Sequence, residues 1–230
     1  AGTEALDRIM TLVFERKGEG ALKITTKDVG SEHSGYTEVI GTACPSSHLP
    51  DVPAGAWYHE AVDYVLQAGL MQGDGQRFDP NGGATRAMLV QTLYNLAGAS
   101  DKDTASGFAD VPESQWYAAA ITWARKNGIV TGDDSSHFAP GRLATRQETV
   151  TMLYRFVTVY LGWKASERND LSEFTDKDSV AAYALDAMQW AVGVGLVNGM
   201  GDGTLAPTAT ATRAELAALL MRLHRNLLNP

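Results

Sequence analysis

Three copies of one pattern dominate the chain, and a repeat constrains the fold more than any single motif does, because each copy must bury its apolar face against another copy. The stretch from Asp51, "DVPAGAWYHEAVDYVLQAGLMQGDGQRFDP", returns from Asp110 as "DVPESQWYAAAITWARKNGIVTGDDSSHFAP" and more loosely from Asp176 to Leu223. Each copy carries a Gly-x-x-x-Gly pair (Gly69 and Gly73, Gly128 and Gly132, Gly195 and Gly199), then a proline (Pro80, Pro140, Pro207). Thr-Arg follows five residues after each proline.

Within a copy the apolar spacing reads as helix, loop, helix. Trp57, Ala61, Tyr64 and Val65 recur at helical spacing, as do Trp116, Ala120, Trp123 and Ala124, and then Tyr183, Ala187, Trp190 and Ala191. Gly128 is placed to end its helix in a left-handed cap. Thr85, Thr145 and Thr212 are the predicted N-caps of the second helices, with Glu148 and Glu215 at capping-box distance and Met88 in that place in the first copy. The chain is therefore expected to be mainly α: three helix-loop-helix repeats packed as a pseudo-three-fold module, with the first helices at its centre. The expected divisions are an N-terminal extension or end of a preceding domain (1–48), then repeats over 49–99, 100–163 and 164–230. Within the extension, Leu6, Ile9, Met10 and Val13 suggest a short helix, "GEG" (18–20) a turn and "ALKITT" a strand.

Composition narrows the partners. The chain has 230 residues, 44% of them hydrophobic, and a formal charge of −8, which repels nucleic acid and anionic membranes at long range. Any anionic ligand must be bound locally. A single cysteine, Cys44, excludes an intrachain disulfide framework and suits the cytoplasm or a bacterial surface alike. No apolar run reaches the roughly 18 to 20 residues that span a bilayer, so no membrane insertion is expected. The opening "AGTEALDRIM" lacks a basic segment followed by an apolar one and reads as a mature fragment. The histidines, His33, His48, His59, His137 and His224, fall at unrelated repeat positions, and no nucleophile elbow, phosphate loop or metal-binding helical pair occurs. No catalytic site, metal or cofactor is expected. The acidic loops "GDGQRFDPNG" and "GMGDGT" lack the alternating carboxylates of a calcium loop and read as turns.

The residues "FADVPESQWYAAAITWARKNGIVTG", "FAP" and "TRQE" of the second copy, with "TRAE" (212–215) in the third, resemble the S-layer homology domain, which usually stands as three tandem copies at one end of a bacterial surface protein. The resemblance covers about residues 49–225. It implies a helical, non-catalytic module at the cell surface that binds secondary cell-wall polysaccharide, often bearing pyruvate ketals, in grooves between repeats. The arginine of the motif would meet an acidic group of the glycan, and a further domain would be linked covalently upstream.

That role accounts for an otherwise unfavourable placement. Behind a threonine cap, Arg86, Arg146 and Arg213 occupy the first helical position, where a cation opposes the helix dipole. An approaching carboxylate would justify it, since a guanidinium can donate two parallel hydrogen bonds while helix N–H groups add further donors. The competing reading makes the arginines internal struts of a structural or protein-interaction module. Trp57 and Trp116 are candidates for stacking on sugar, with Tyr183 in that place in the third repeat, whereas Trp123 and Trp190 belong to the core. Asp74, Asp133 and Asp202 are candidates for sugar hydroxyls. Only the second copy keeps every motif residue, which predicts that Arg146→Ala costs the most binding, and that it leaves the fold intact.

Overall fold

Gly128 has φ +70° and stops the first helix of the second repeat, as its spacing predicts; Gly69 (φ +66°) and Gly195 (φ +69°) end the equivalent helices in the same way. In the computed structural model, residues 22–25, 37–40 and 44–228 are described, and the chain divides into two compact units, Ala1–Cys44 and Pro45–Pro230. The first unit holds an antiparallel pair, β1 (Leu22–Thr25) and β2 (Thr37–Ile40), with Leu22 opposite Ile40 and Thr25 opposite Thr37. β1 falls within "ALKITT"; the helix expected over Leu6–Val13 and the turn at 18–20 lie outside the described residues.

The second unit is helical. Its main elements are α1 (His59–Gln67), α2 (Arg86–Leu96), α3 (Ala118–Lys126), α4 (Arg146–Arg155), α5 (Leu185–Gly193) and α6 (Arg213–Arg222). π-helical turns extend α4 over Phe156–Tyr160 and α6 over Leu223–Leu228. Pairing runs across repeats: α3 packs on α2, α5 on α4 and α1 on α6, so each first helix lies on the second helix of the preceding repeat, and repeat 1 closes onto repeat 3. Small residues buried on the first helices (Ala61, Ala120 and Ala124, Ala187 and Ala191) allow this approach. The resulting core is continuous through all three repeats and includes Phe78, Leu93, Ile121, Phe138, Leu153, Met188 and Leu220.

The expectation that first helices form the centre is corrected by the backbone. Just ahead of each second helix, Ala84 N–H donates to Ala211 O, Ala211 N–H to Ala144 O and Ala144 N–H to Ala84 O, each at 2.9 Å. This closed triangle brings the starts of α2, α4 and α6 together. The threonine caps form, with Oγ1 accepting from Met88 N at 3.2 Å, Glu148 N at 3.3 Å and Glu215 N at 3.1 Å. The capping boxes of α4 and α6 are complete and that of α2 is not, because Met88 cannot return a hydrogen bond to Thr85.

Candidate functional site

Every second helix begins inside the loop of the next repeat. Arg86 N–H donates to Arg142 O and Ala87 N–H to Pro140 O; Arg146 and Gln147 donate likewise to Ala209 and Pro207, and Arg213 and Ala214 to Gly82 and Pro80, all at 2.8–3.0 Å. The first two orphan N–H groups of each helix are thus spent on the neighbouring loop, and the third on the threonine cap. The expectation that free helix N–H groups would serve an anion therefore fails. The guanidinium is what each helix start still offers.

Those loops are held in a strained turn by an aspartate that the sequence marks only as the start of each repeat. Asp51 accepts from Phe78 N (3.1 Å) and Asp79 N (2.7 Å), Asp110 from Phe138 N (2.8 Å) and Ala139 N (2.6 Å), and Asp176 from Leu205 N and Ala206 N (both 2.8 Å). Asp79, Ala139 and Ala206 adopt φ of +56°, +58° and +49°, so the carboxylate anchors a backbone conformation that side chains disfavour. The carbonyl of the same turn faces the arginine of the preceding repeat. Arg86 Nε donates to Phe138 O (2.8 Å), Arg146 Nε to Leu205 O (2.9 Å) and Arg213 Nε to Phe78 O (2.8 Å). Arg86 and Arg213 also lie over the Phe138 and Phe78 rings, at 4.6 and 4.7 Å.

Beyond this shared contact the three arginines differ. Arg146 Nη1 makes a 2.6 Å ion pair with Glu215, whose other oxygen accepts from Thr212 N at 2.7 Å. Arg86 stands 3.5 Å from both Glu148 and Asp133, because Arg142 takes those carboxylates at 2.6 and 2.8 Å. Arg213 meets two carbonyls, Phe78 O and Gln72 O, and the Met88 thioether at 3.6 Å. Burial pulls the Arg86 pKa down against the opposing pull of Asp133 and Glu148, and burial does the same at Arg213, opposed by Asp79, Asp51 and Asp74. Since Arg146→Ala would strand Glu215 and the Leu205 carbonyl, the variant is expected to lose stability as well as binding, with the fold kept.

Three grooves follow the arginines around the module. The Arg146 groove, about 380 Å³, is walled by Val197, Met200, Glu215 and Arg222 of repeat 3 and reaches Trp57 of repeat 1. The Arg86 groove, about 310 Å³, has Asp133, Glu148 and Arg155 of repeat 2 and Tyr183 of repeat 3. The Arg213 groove, about 510 Å³, has Met71, Met88 and Asn95 of repeat 1 and Trp116 of repeat 2. Each groove therefore takes its arginine, its wall and its aromatic from three different repeats. Trp57, Trp116 and Tyr183 are 66%, 59% and 55% exposed, whereas Trp123 and Trp190 are buried as their helical phase predicts. Edge contacts from Tyr58 and Tyr117 support the two exposed indoles, with ring centres 5.4 and 5.2 Å apart.

Of the candidate aspartates, Asp133 lines the Arg86 groove. Asp74 turns onto its own loop, accepting from Gln76 N and Arg77 N (2.8 and 2.7 Å), and Asp202 does so with Thr204 N and Oγ1 (3.0 and 2.6 Å). Gly132 shows why these loops are tight: a Cβ there would lie 2.5 Å from Asp134 O and 2.6 Å from His137 O. Sequence reading missed the polar register nine residues after each arginine, Asn95, Arg155 and Arg222, which lines all three grooves. Its signal is a polar residue at the same register of all three second helices. Among the described residues no helix is long and apolar enough to cross a membrane.

The S-layer homology domain family matches residues 49–87, 107–150 and 173–217. The chain is 31% identical over 171 residues to the surface-layer 125 kDa protein of Lysinibacillus sphaericus, covering 73% of this chain and 14% of that protein. It is 31% identical over 160 residues to the cellulosome-anchoring protein of Acetivibrio thermocellus (67% and 35%). With the amylopullulanase of Thermoanaerobacterium thermosulfurigenes it shares 29% over 165 residues (71% and 9%). The chain thus spans a minor part of each of these relatives. With three matched segments at the positions of its three repeats, the chain belongs to the S-layer homology domain family.

Proposed function

We propose that this chain is a non-catalytic anchoring module that ties a larger protein to the bacterial cell surface by binding secondary cell-wall polysaccharide in its inter-repeat grooves. The observation that carries the reading is the threefold recurrence of a buried or half-buried arginine and a solvent-facing aromatic on one groove, built each time from different repeats. An aromatic face stacks on a sugar ring while a guanidinium takes an acidic substituent such as a pyruvate ketal, so each groove offers one contact for each half of an acidic saccharide. The names of the surface-layer and cellulosome-anchoring relatives agree with attachment at the wall. In the amylopullulanase, the similar segment is a small share of a protein named for its enzyme activity, and a like arrangement would place any catalysis of this chain's parent in a separate part.

The strut reading accounts for a part of the same side chains. Each Nε bonds a neighbouring repeat, and Arg146 is neutralised internally by Glu215. What struts leave unexplained is the exposure of the aromatics. Sedimentation with purified cell walls, before and after selective removal of the secondary polysaccharide, tests the proposal. Retention by intact walls and its loss after extraction is the expected result; undiminished retention on extracted walls would overturn it.

A further inference from the structure

The fourth residue of the Thr-Arg motif decides how much of each arginine remains for a ligand. Where it is glutamate, one oxygen caps the helix start and the other faces the arginine of the preceding repeat. Glu215 takes Thr212 N at 2.7 Å and Arg146 at 2.6 Å, and Glu148 takes Thr145 N at 2.8 Å. In repeat 1 the position is Met88, and its sulfur is the group set against Arg213 Nη1, at 3.6 Å. Among the described residues no carboxylate comes within ion-pair distance of Arg213. The guanidinium is nevertheless fixed, by Phe78 O on Nε, Gln72 O on Nη2 and the Phe78 ring beneath it, and it is 9% exposed.

We infer that Met88 makes the Arg213 groove the tightest of the three for a singly charged carboxylate on a sugar, and that Glu215 restrains the Arg146 groove by occupying its arginine in advance. This inference rests on the groove-binding reading above. The Arg146 and Arg213 grooves carry the same formal charge, one positive unit from the residues lining each. Lining charge therefore does not separate them, and the carboxylates of Asp79, Asp51 and Asp74 act on Arg213 only from beyond ion-pair distance. Contact does: at Arg146 an incoming carboxylate competes with the charge of Glu215, already paired at 2.6 Å, whereas at Arg213 it meets a desolvated cation with no countercharge in contact. The Met88 thioether, Met71 and Trp116 put apolar surface into this groove, and its other side chains, Gln91, Thr92 and Asn95 among them, are uncharged, which favours a charge-assisted hydrogen bond to the guanidinium. The Arg86 groove is the weakest, since Asp133 and Glu148 balance Arg86 and Arg155.

The indole N–H signals of Trp116 and Trp57 report separately on the Arg213 and Arg146 grooves in an NMR titration of the full chain. The probe is a methyl hexoside carrying one pyruvate ketal, with its uncharged methyl ester as control. Trp116 should titrate at about tenfold lower concentration than Trp57, and the ester should abolish the difference. Met88→Glu completes the α2 capping box and should raise the Trp116 midpoint to that of Trp57. Glu215→Gln keeps the hydrogen bond to Thr212 N, removes the competing charge, and should lower the Trp57 midpoint. A Trp57 midpoint equal to or below that of Trp116, or a Trp116 midpoint unmoved by Met88→Glu, would overturn this inference and leave groove binding standing. An acidic probe that shifts neither indole would overturn groove binding itself, and the inference with it.

Discussion

Arg213 donates through Nε to the carbonyl of Phe78, 135 residues earlier, at 2.8 Å. One side chain thereby joins the start of the last long helix to the loop of the first repeat. Beside the α1–α6 packing and the triangle of Ala84, Ala144 and Ala211, it turns a linear succession of repeats into a ring.

Closure of that kind predicts that Arg213→Ala destabilises the module although the residue stands at a helix start. Two carbonyls, Phe78 O and Gln72 O, lose their donor in buried or half-buried surroundings. A loss of about 1–3 kcal/mol is expected, with a fold that remains intact because the helix packing is untouched. Denaturant unfolding measures it; an unchanged midpoint would show that the ring does not depend on the arginine.

Asp110→Ala should cost at least as much. It removes both acceptors of Phe138 N and Ala139 N at a turn whose Ala139 sits at φ +58°. The expected loss is about 2–4 kcal/mol, and Asp110→Asn, which keeps one acceptor, should fall between the variant and the parent. Equal stability of all three would remove the aspartate from its anchoring role.

How much of this was legible in the sequence follows from distance along the chain. Thr145 and Glu148 are three residues apart, so their capping box is a local pattern; Gly128 ends a helix for backbone reasons of its own; and helical phase marks Trp123 as buried, whereas exposed Trp116 stands in the turn ahead of α3. The partners of Arg146 are Leu205 and Glu215, 59 and 69 residues away in another repeat, and no local period encodes that. The same holds for α1, which lies on α6 when adjacency in sequence suggests α2. Counting motif losses by repeat also misleads. Met88 weakens the repeat 1 cap but alters the Arg213 groove, and Tyr183 of repeat 3 alters the Arg86 groove.

Acid should weaken the module partly through Glu148. Burial alone would raise its pKa, but hydrogen bonds from Arg142 and from the Thr145 backbone and hydroxyl hold it below the ordinary 4.5. A carboxyl with a depressed folded-state pKa contributes stability that is fully present above its unfolded value and is lost as pH falls through the folded value. Stability should therefore decline below about pH 4.5, and Glu148→Gln should reduce that slope. Parallel pH profiles for parent and variant would contradict this assignment.

The exposed and buried tryptophans separate binding from folding. Trp190→Ala empties a core position beside Tyr154 and should cost about 3–5 kcal/mol. Trp57→Ala removes a ring that is 66% exposed and should change stability by less than about 1 kcal/mol. Thermal melts of the two variants check this, and a comparable loss in both would mean that Trp57 is a core residue.

The most direct test of groove binding is calorimetric titration with a short soluble fragment of secondary cell-wall polysaccharide, since a short ligand removes the avidity that several sites share on an intact wall. The parent is compared with a triple variant, Trp57→Ala, Trp116→Ala and Tyr183→Ala, whose melting temperature serves as the control for folding. Saturable heat in the parent and at least a tenfold weaker affinity in the variant, at unchanged melting temperature, is the predicted result, about 1.4 kcal/mol or more of binding free energy. Equal affinity in the two proteins would contradict the claim that these grooves hold the glycan.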